Sequence, residues 1–170
     1  MWHRSHGEGE ILMDKTCTLL LLRHKGQVLL AMKKRGFGAN RWNGVGGKIE
    51  PGETIEQALV RECQEEIEVT PTKFEKVALH DFVMDSDSST PWHMYVHAYV
   101  ADEWEGKPAE TEEMAPRWFD ITDVPYDNMW QDDVYWLPAV LIGQKLTTRF
   151  TFDSNEQMLT AEITPVETVA

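Results

Sequence analysis

Cysteine is nearly absent from this chain, bases are outnumbered by acids, and no apolar run is long. Only Cys17 and Cys63 are cysteines. Both fall inside apolar patterns without ligand spacing, which predicts two reduced, buried thiols and excludes a disulfide framework. Sixteen Lys and Arg stand against 29 Asp and Glu, a formal charge of -13. With no large basic face to displace counterions from a phosphate backbone, nucleic-acid binding is not expected, and an anionic ligand must be neutralised locally. The apolar stretch Leu19 to Leu22 falls far short of the roughly 20 residues a membrane helix needs. The N-terminal MWHRSHGEGEILMDK has no apolar h-region and carries acids, so no secretory signal is expected. The expected location is the cytoplasm, with nuclear or mitochondrial residence left open.

What is present suffices for one core. With 42% hydrophobic and 10% aromatic residues, no linker, no repeat and no low-complexity tract, the reading is one domain over 16–165. A flexible N-terminal extension, 1–15, and a short tail, 166–170, are expected to flank it, and the chain is expected to be a monomer.

Alternating residues predict strands over Thr16 to Leu22, Gln27 to Met32, Lys73 to Met84, Trp92 to Val100 and Trp118 to Asp120, and a terminal hairpin of Arg149 to Asp153 with Met158 to Ile163. Between the second and third strands, KKRGFGANRWNGVGGK holds five glycines and is read as an irregular loop. A second helix is expected after Asp132, from the amphipathic set Val134, Leu137, Val140, Leu141 and Lys145. Strands and helices mix without regular alternation, an α+β pattern.

The chemistry concentrates in GKIEPGETIEQALVRECQEEIEV, Gly47 to Val69. If Thr54 to Ile67 is a helix, with Thr54 as N-cap and Gln57 completing a capping box, then Ile55, Leu59, Glu62 and Glu66 share one stripe, with Glu65 beside it. A stripe that starts apolar and ends acidic faces inward. Unpaired carboxylates there would cost several kcal/mol, so they call for a cation or a proton. The i, i+3, i+4 spacing puts Glu62, Glu65 and Glu66 within reach of a hard cation, and Arg61 can pair with Glu53 to steady the helix entrance. The plain alternative is a solvated, salt-bridged helix face.

This segment resembles the Nudix box: Gly47, Glu53, Arg61, Glu62, Glu65, Glu66 and Val69 match, Cys63 fills an apolar slot, and Glu68 replaces the final glycine. A shifted helix terminus is expected from that last departure. The flanking MKKRGFGANRWNGVGGK, GKPAETEEMAPRWF and MWQDDVYWLP resemble the branch of the family that acts on oxidized purine nucleotides. The resemblance implies a Nudix fold, a mixed curved sheet between helices. It implies hydrolysis of oxidized purine nucleoside triphosphates such as 8-oxo-dGTP and 2-hydroxy-dATP to the monophosphate and pyrophosphate, sanitising the nucleotide pool. It also implies Mg²⁺, with Mn²⁺ as a substitute, on the Gly46 carbonyl, Glu62, Glu65, Glu66 and Glu113.

By the same resemblance Lys33 contacts phosphate, with Val45, Gly46, Gly47 and Lys48 along the substrate, and a base pocket is formed by Thr18, Phe37, Asn43, Phe82, Met94, Trp130, Asp132 and Asp133. Met84 takes the place of a pocket phenylalanine. On pattern alone Phe82 and Met94 read as core, Asp132 and Asp133 as an N-cap and first-turn acid, and Glu113 as a solvated loop acid. His80, His93 and His97 lack metal spacing and read as ordinary strand residues. Two alternatives stand beside the main expectation: hydrolysis of another nucleotide, such as a canonical or methylated purine triphosphate or a dinucleoside polyphosphate, and a nucleotide-binding module without catalysis.

Overall fold

The computed structural model describes residues 14–36 and 38–170. Phe37 and all but the last two residues of the N-terminal extension lie outside the described residues. Its strands are β1 (Lys15–His24), β2 (Gln27–Lys33), β3 (Trp42–Asn43), β4 (Thr70–Met84), β5 (Trp92–Glu105), β6 (Met114–Asp120), β7 (Lys145–Phe152) and β8 (Met158–Val166). Helix α1 spans Ile55–Ile67 and α2 spans Asp133–Leu141. The strands form one mixed sheet in the order β3-β2-β1-β5-β4-β7-β8, with β6 also paired to β2. The β1–β5 and β4–β7 pairs are parallel; the other pairs are antiparallel.

The run Leu19 to Leu22 explains why both faces of the sheet are covered. Side chains alternate along a strand, so four successive leucines feed two cores, as in strands buried on both sides. Leu19 and Leu21 join Val28, Leu30, Phe82, Phe150 and the α2 residues Trp136, Leu137, Val140 and Leu141. Leu20 and Leu22 join Leu29, Ala31, Val45 and the α1 residues Leu59, Cys63 and Ile67. Each of these buried leucines contributes about 1.5–3 kcal/mol, and Leu20→Ala would cost about 2–5 kcal/mol. Both cysteines are buried and free; burial pushes the thiols up to about 11 for Cys17 and about 12 for Cys63.

Helix α1 starts as its sequence requires. The Gln57 amide donates to Thr54 Oγ1 at 3.1 Å, and the Thr54 amide donates to Gln57 Oε1 at 2.9 Å. Its end departs from expectation. The terminus is not shifted: Glu68 itself takes the left-handed conformation (φ 61°, ψ 34°), and its N–H donates to the Gln64 carbonyl at 3.0 Å. The fold accepts a cost of about 1 kcal/mol for a side chain there rather than moving the helix end.

Helix α2 is shorter than its apolar pattern suggested. It stops at Leu141, before Gly143 (φ 97°), and Lys145 begins β7 instead of closing a third turn. Val134 is half exposed, so it lies off the buried stripe of Trp136, Leu137, Val140 and Leu141. The glycine-rich loop holds the two-residue β3, paired with β2 through Ala31–Asn43 and Met32–Trp42. Among the described residues no helix is long and apolar enough to cross a membrane.

Candidate active site

Two adjoining cavities make up the site. The first is an open hollow of about 390 Å³ lined by Lys33, Gly46, Gly47, Lys48, Glu62, Glu65, Glu66, Glu113 and Met114. Helix α1 supplies three acids on successive turns, β2 ends in Lys33, and the residue before β6 is Glu113. Backbone contact requires the glycine at 46, and a side chain at 47 would displace the Glu62 carboxylate. A Cβ on Gly47 would lie 2.6 Å from Glu62 Oε1, and one on Gly46 would lie 1.9 Å from the Thr18 carbonyl oxygen.

Arg61 organises the acids. It donates to Glu53 from Nε at 2.7 Å and from Nη2 at 2.9 Å, to Glu62 at 3.0 Å, to Glu65 at 3.3 Å and to the Lys48 carbonyl at 3.1 Å. A planar guanidinium can make this set of bonds and an ammonium cannot. Glu53 is held below the ordinary carboxylate range by its bond to Arg61 and by the Glu50 amide. On the opposite rim Arg35 donates to Glu113 at 2.8 Å, which lowers that acid as well.

Glu66 differs from its neighbours. It is 7% exposed; one oxygen accepts from the Gly46 amide at 3.2 Å, and the other, Oε2, is buried with no hydrogen-bond partner. Burial, followed by the closeness of the Glu62 carboxyl, raises its carboxyl well above the usual range. An orphaned, buried carboxylate oxygen beside a second acid fits a site for a hard divalent cation, whose preferred donors are oxygens. The expected ligand set is not gathered as it stands. Among the described residues no three His, Cys, Asp or Glu side chains are close enough together to hold a metal ion; Arg61 pairs with Glu62 and Glu65, and Arg35 with Glu113.

The second cavity is a narrow pocket of about 10 Å³ lined by Leu19, Asn43, His80, Phe82, Val96, Trp130, Asp132, Asp133 and Trp136. Arg41 stacks over the Trp130 ring at 4.2 Å. Asn43 Oδ1 accepts from the Gly44 amide at 2.9 Å, so its NH₂ group is the part left to donate. Asp132 does not cap α2, as its position suggested: its backbone is helical, its side chain makes no cap bond, and Oδ2 accepts from Trp136 Nε1 at 2.9 Å. Asp132 Oδ1 and Asp133 Oδ2 are buried without partners. Burial raises Asp132 to about 6, and burial together with the Asp132 charge raises Asp133 well above the usual carboxylate range. Two adjacent buried carboxyls favour sharing a proton, and with it the pair would be donor and acceptor at once.

The segment from Asn43 to Lys48 joins the cavities, with Asn43 on the pocket and Gly46, Gly47 and Lys48 on the hollow. It is tied to β1: Thr18 N donates to the Gly47 carbonyl at 2.9 Å and Leu20 N to the Val45 carbonyl at 2.7 Å. Three expected contact residues line neither cavity. Thr18 is buried with its hydroxyl unpartnered, Val45 packs toward α1, and Met94 is wholly inside the core. Met84 is core as well. Sequence reading missed Trp136 and His80. Trp136 could have been found as the residue one helical turn from Asp132, whereas His80 is marked only by its i, i+2 relation to Phe82.

Comparison with known proteins agrees with this geometry. A NUDIX domain model matches residues 13–140. The oxidized purine nucleoside triphosphate hydrolases of Danio rerio and Mus musculus are 42% and 41% identical to this chain. The alignments cover 91% and 88% of this chain and 97% and 94% of those proteins. The crystal structure of a MutT protein from Bacillus halodurans superposes with a TM-score of 0.76 at 25% identity, over 88% of this chain and 97% of that one. Hydrolases of this kind generally use a divalent metal. With Gly47, Glu62, Glu65 and Glu66 of the box lining one hollow and the domain match spanning most of its length, the chain belongs to the Nudix hydrolase family.

Proposed function

We propose that this chain hydrolyses oxidized purine nucleoside triphosphates, 8-oxo-dGTP and 2-hydroxy-dATP among them, to the nucleoside monophosphate and pyrophosphate. The observation that carries the reading is the pairing of an acidic hollow with an adjoining buried pocket whose polar atoms lack partners. Relatives named for that activity, similar over nearly their whole length, support it.

Glu62, Glu65 and Glu66, with the Gly46 carbonyl and Glu113, would hold the divalent cation, proposed to be Mg²⁺. When bound, it neutralises the triphosphate and the charge that develops on the leaving pyrophosphate. The chain's own groups do the rest. Lys33 at the hollow's edge faces the phosphates as a point charge. Arg61 holds Glu62 and Glu65 toward the hollow and ties α1 to the preceding loop through Glu53. Hydrolysis forms a bond from a water oxygen to phosphorus and breaks the anhydride link between the α and β phosphates. A carboxylate of the cluster takes the proton that water sheds. In the pocket Trp130 stacks on the base while Asn43, Asp132 and Asp133 read its edge.

The test is pyrophosphate release from 8-oxo-dGTP, 2-hydroxy-dATP and dGTP, with Mg²⁺ and with chelator. Release that requires the metal and favours the oxidized purines is expected. Equal rates on dGTP would shift the reading to another nucleotide substrate, and binding without release would make the chain a nucleotide-binding module.

A further inference from the structure

We propose that His80 is a specificity-determining residue of the base pocket, its Nε2 forming a hydrogen bond with the edge of the purine. This rests on the substrate reading above and adds a reader to it. His80 is fully buried on β4, two residues before Phe82 and on the same side of the sheet. Its register sets it beside Val96 on β5, another lining residue, and Thr148 on β7. The ring lies 4.3 Å from Trp136 and 5.5 Å from Phe82, so it is clamped among the pocket aromatics.

One ring nitrogen is accounted for: Nδ1 is 2.7 Å from Thr148 Oγ1. The other, Nε2, is buried with no partner, as are Asp132 Oδ1 and Asp133 Oδ2 in the same lining. A core built only for stability would place an apolar side chain here, because a buried polar atom without a partner is destabilising. Three such atoms in one pocket, on β4 and at the start of α2, match the several polar atoms along a purine edge. The imidazole is neutral, since burial lowers it to about 3. With Nδ1 engaged by the Thr148 hydroxyl, Nε2 has a defined role, donor if that hydroxyl gives its proton and acceptor if it takes one.

His80→Phe tests this, since the ring and its aromatic contacts remain and only the nitrogens go. Steady-state rates are measured on 8-oxo-dGTP and dGTP, with affinity for the 8-oxo-dGMP product measured separately in chelator. We expect kcat on 8-oxo-dGTP to stay within a few-fold, KM to rise about 10-fold or more, product affinity to fall in parallel, and the preference over dGTP to shrink. The melting temperature is expected to hold or rise. Thr148→Val, which frees Nδ1 and leaves Nε2 in place, is expected to move the same ratio by less. A variant that melts lower yet keeps its preference between the two nucleotides would show a structural histidine and overturn the inference. Loss of preference in the wild-type protein would instead overturn the substrate reading.

Discussion

The hollow and the pocket treat their polar groups in opposite ways. In the open hollow every acid except Glu66 is braced by a neighbouring base: Arg61 takes Glu53, Glu62 and Glu65, and Arg35 takes Glu113. In the closed pocket Asp132, Asp133 and His80 each keep a buried atom without a partner. Solvent screening lets the hollow hold many charges cheaply, whereas the low dielectric of the pocket makes each unmatched atom expensive. On the proposed reading, the pocket therefore stores unmet hydrogen bonds for a fitting base to satisfy, which favours discrimination over mere affinity.

Glu66 is where the contrast can be broken most forcefully, because it behaves like a pocket residue placed in the hollow. Glu66→Gln is expected to reduce kcat by about 10²–10⁴-fold in pyrophosphate release. The fold should not weaken, since the amide needs no charge compensation; a collapsed melting temperature would show that the orphaned oxygen serves structure.

Asp132→Asn sharpens the difference from the other side. It is expected to lower kcat/KM on 8-oxo-dGTP by roughly 10- to 100-fold, the cost of one mismatched buried hydrogen bond. Stability should move the opposite way. In the fold this carboxyl titrates at about 6, above its ordinary 3.8, so the native state keeps a proton that the unfolded chain has shed. Native stability thus falls as pH rises from about 4 to about 6 and stays low above that range. Removing the group should raise the melting temperature at about pH 8 but hardly at about pH 4. An equal shift at both values would remove burial of a titrating carboxyl as the cause.

For the braced acids, Arg61→Lys keeps the charge and loses the fork. The expected loss is about 1.5–3 kcal/mol in chemical denaturation. An unchanged midpoint would mean that the guanidinium bonds around Glu53 contribute nothing net. The smallest effect is expected at Glu68→Gly, which relieves a left-handed backbone and should add about 1 kcal/mol, roughly 2–4 °C in melting temperature, leaving turnover unaltered.

The hollow was far more legible in the sequence than the pocket, and the reason is locality. Glu53, Arg61, Glu62, Glu65 and Glu66 lie within one helix and its cap, where a period of 3.6 residues turns spacing directly into geometry. The capping box at Thr54 and Gln57 could be read for the same reason. Pocket residues come from β1, β3, β4, β5 and the start of α2, and strand pairing between distant segments cannot be inferred from spacing. His80 was therefore passed over for want of metal spacing, though register alone sets it against Thr148. Thr18, Val45 and Met94, placed along the substrate by the family resemblance and not by pattern, line neither cavity, while alternation alone reads Met94 as core, where it lies. The end of α2 was misjudged because Gly143 outweighs an apolar pattern that runs on to Lys145.

The stretch from Asn43 to Lys48 works as a ruler. Clipped to β1 by backbone hydrogen bonds at Val45 and Gly47, it fixes how far the pocket stands from the carboxylates. A chain with one extra residue there would grip the same nucleotide with its scissile link out of register. On the proposed reading, length and not chemistry alone would set which compounds are cut.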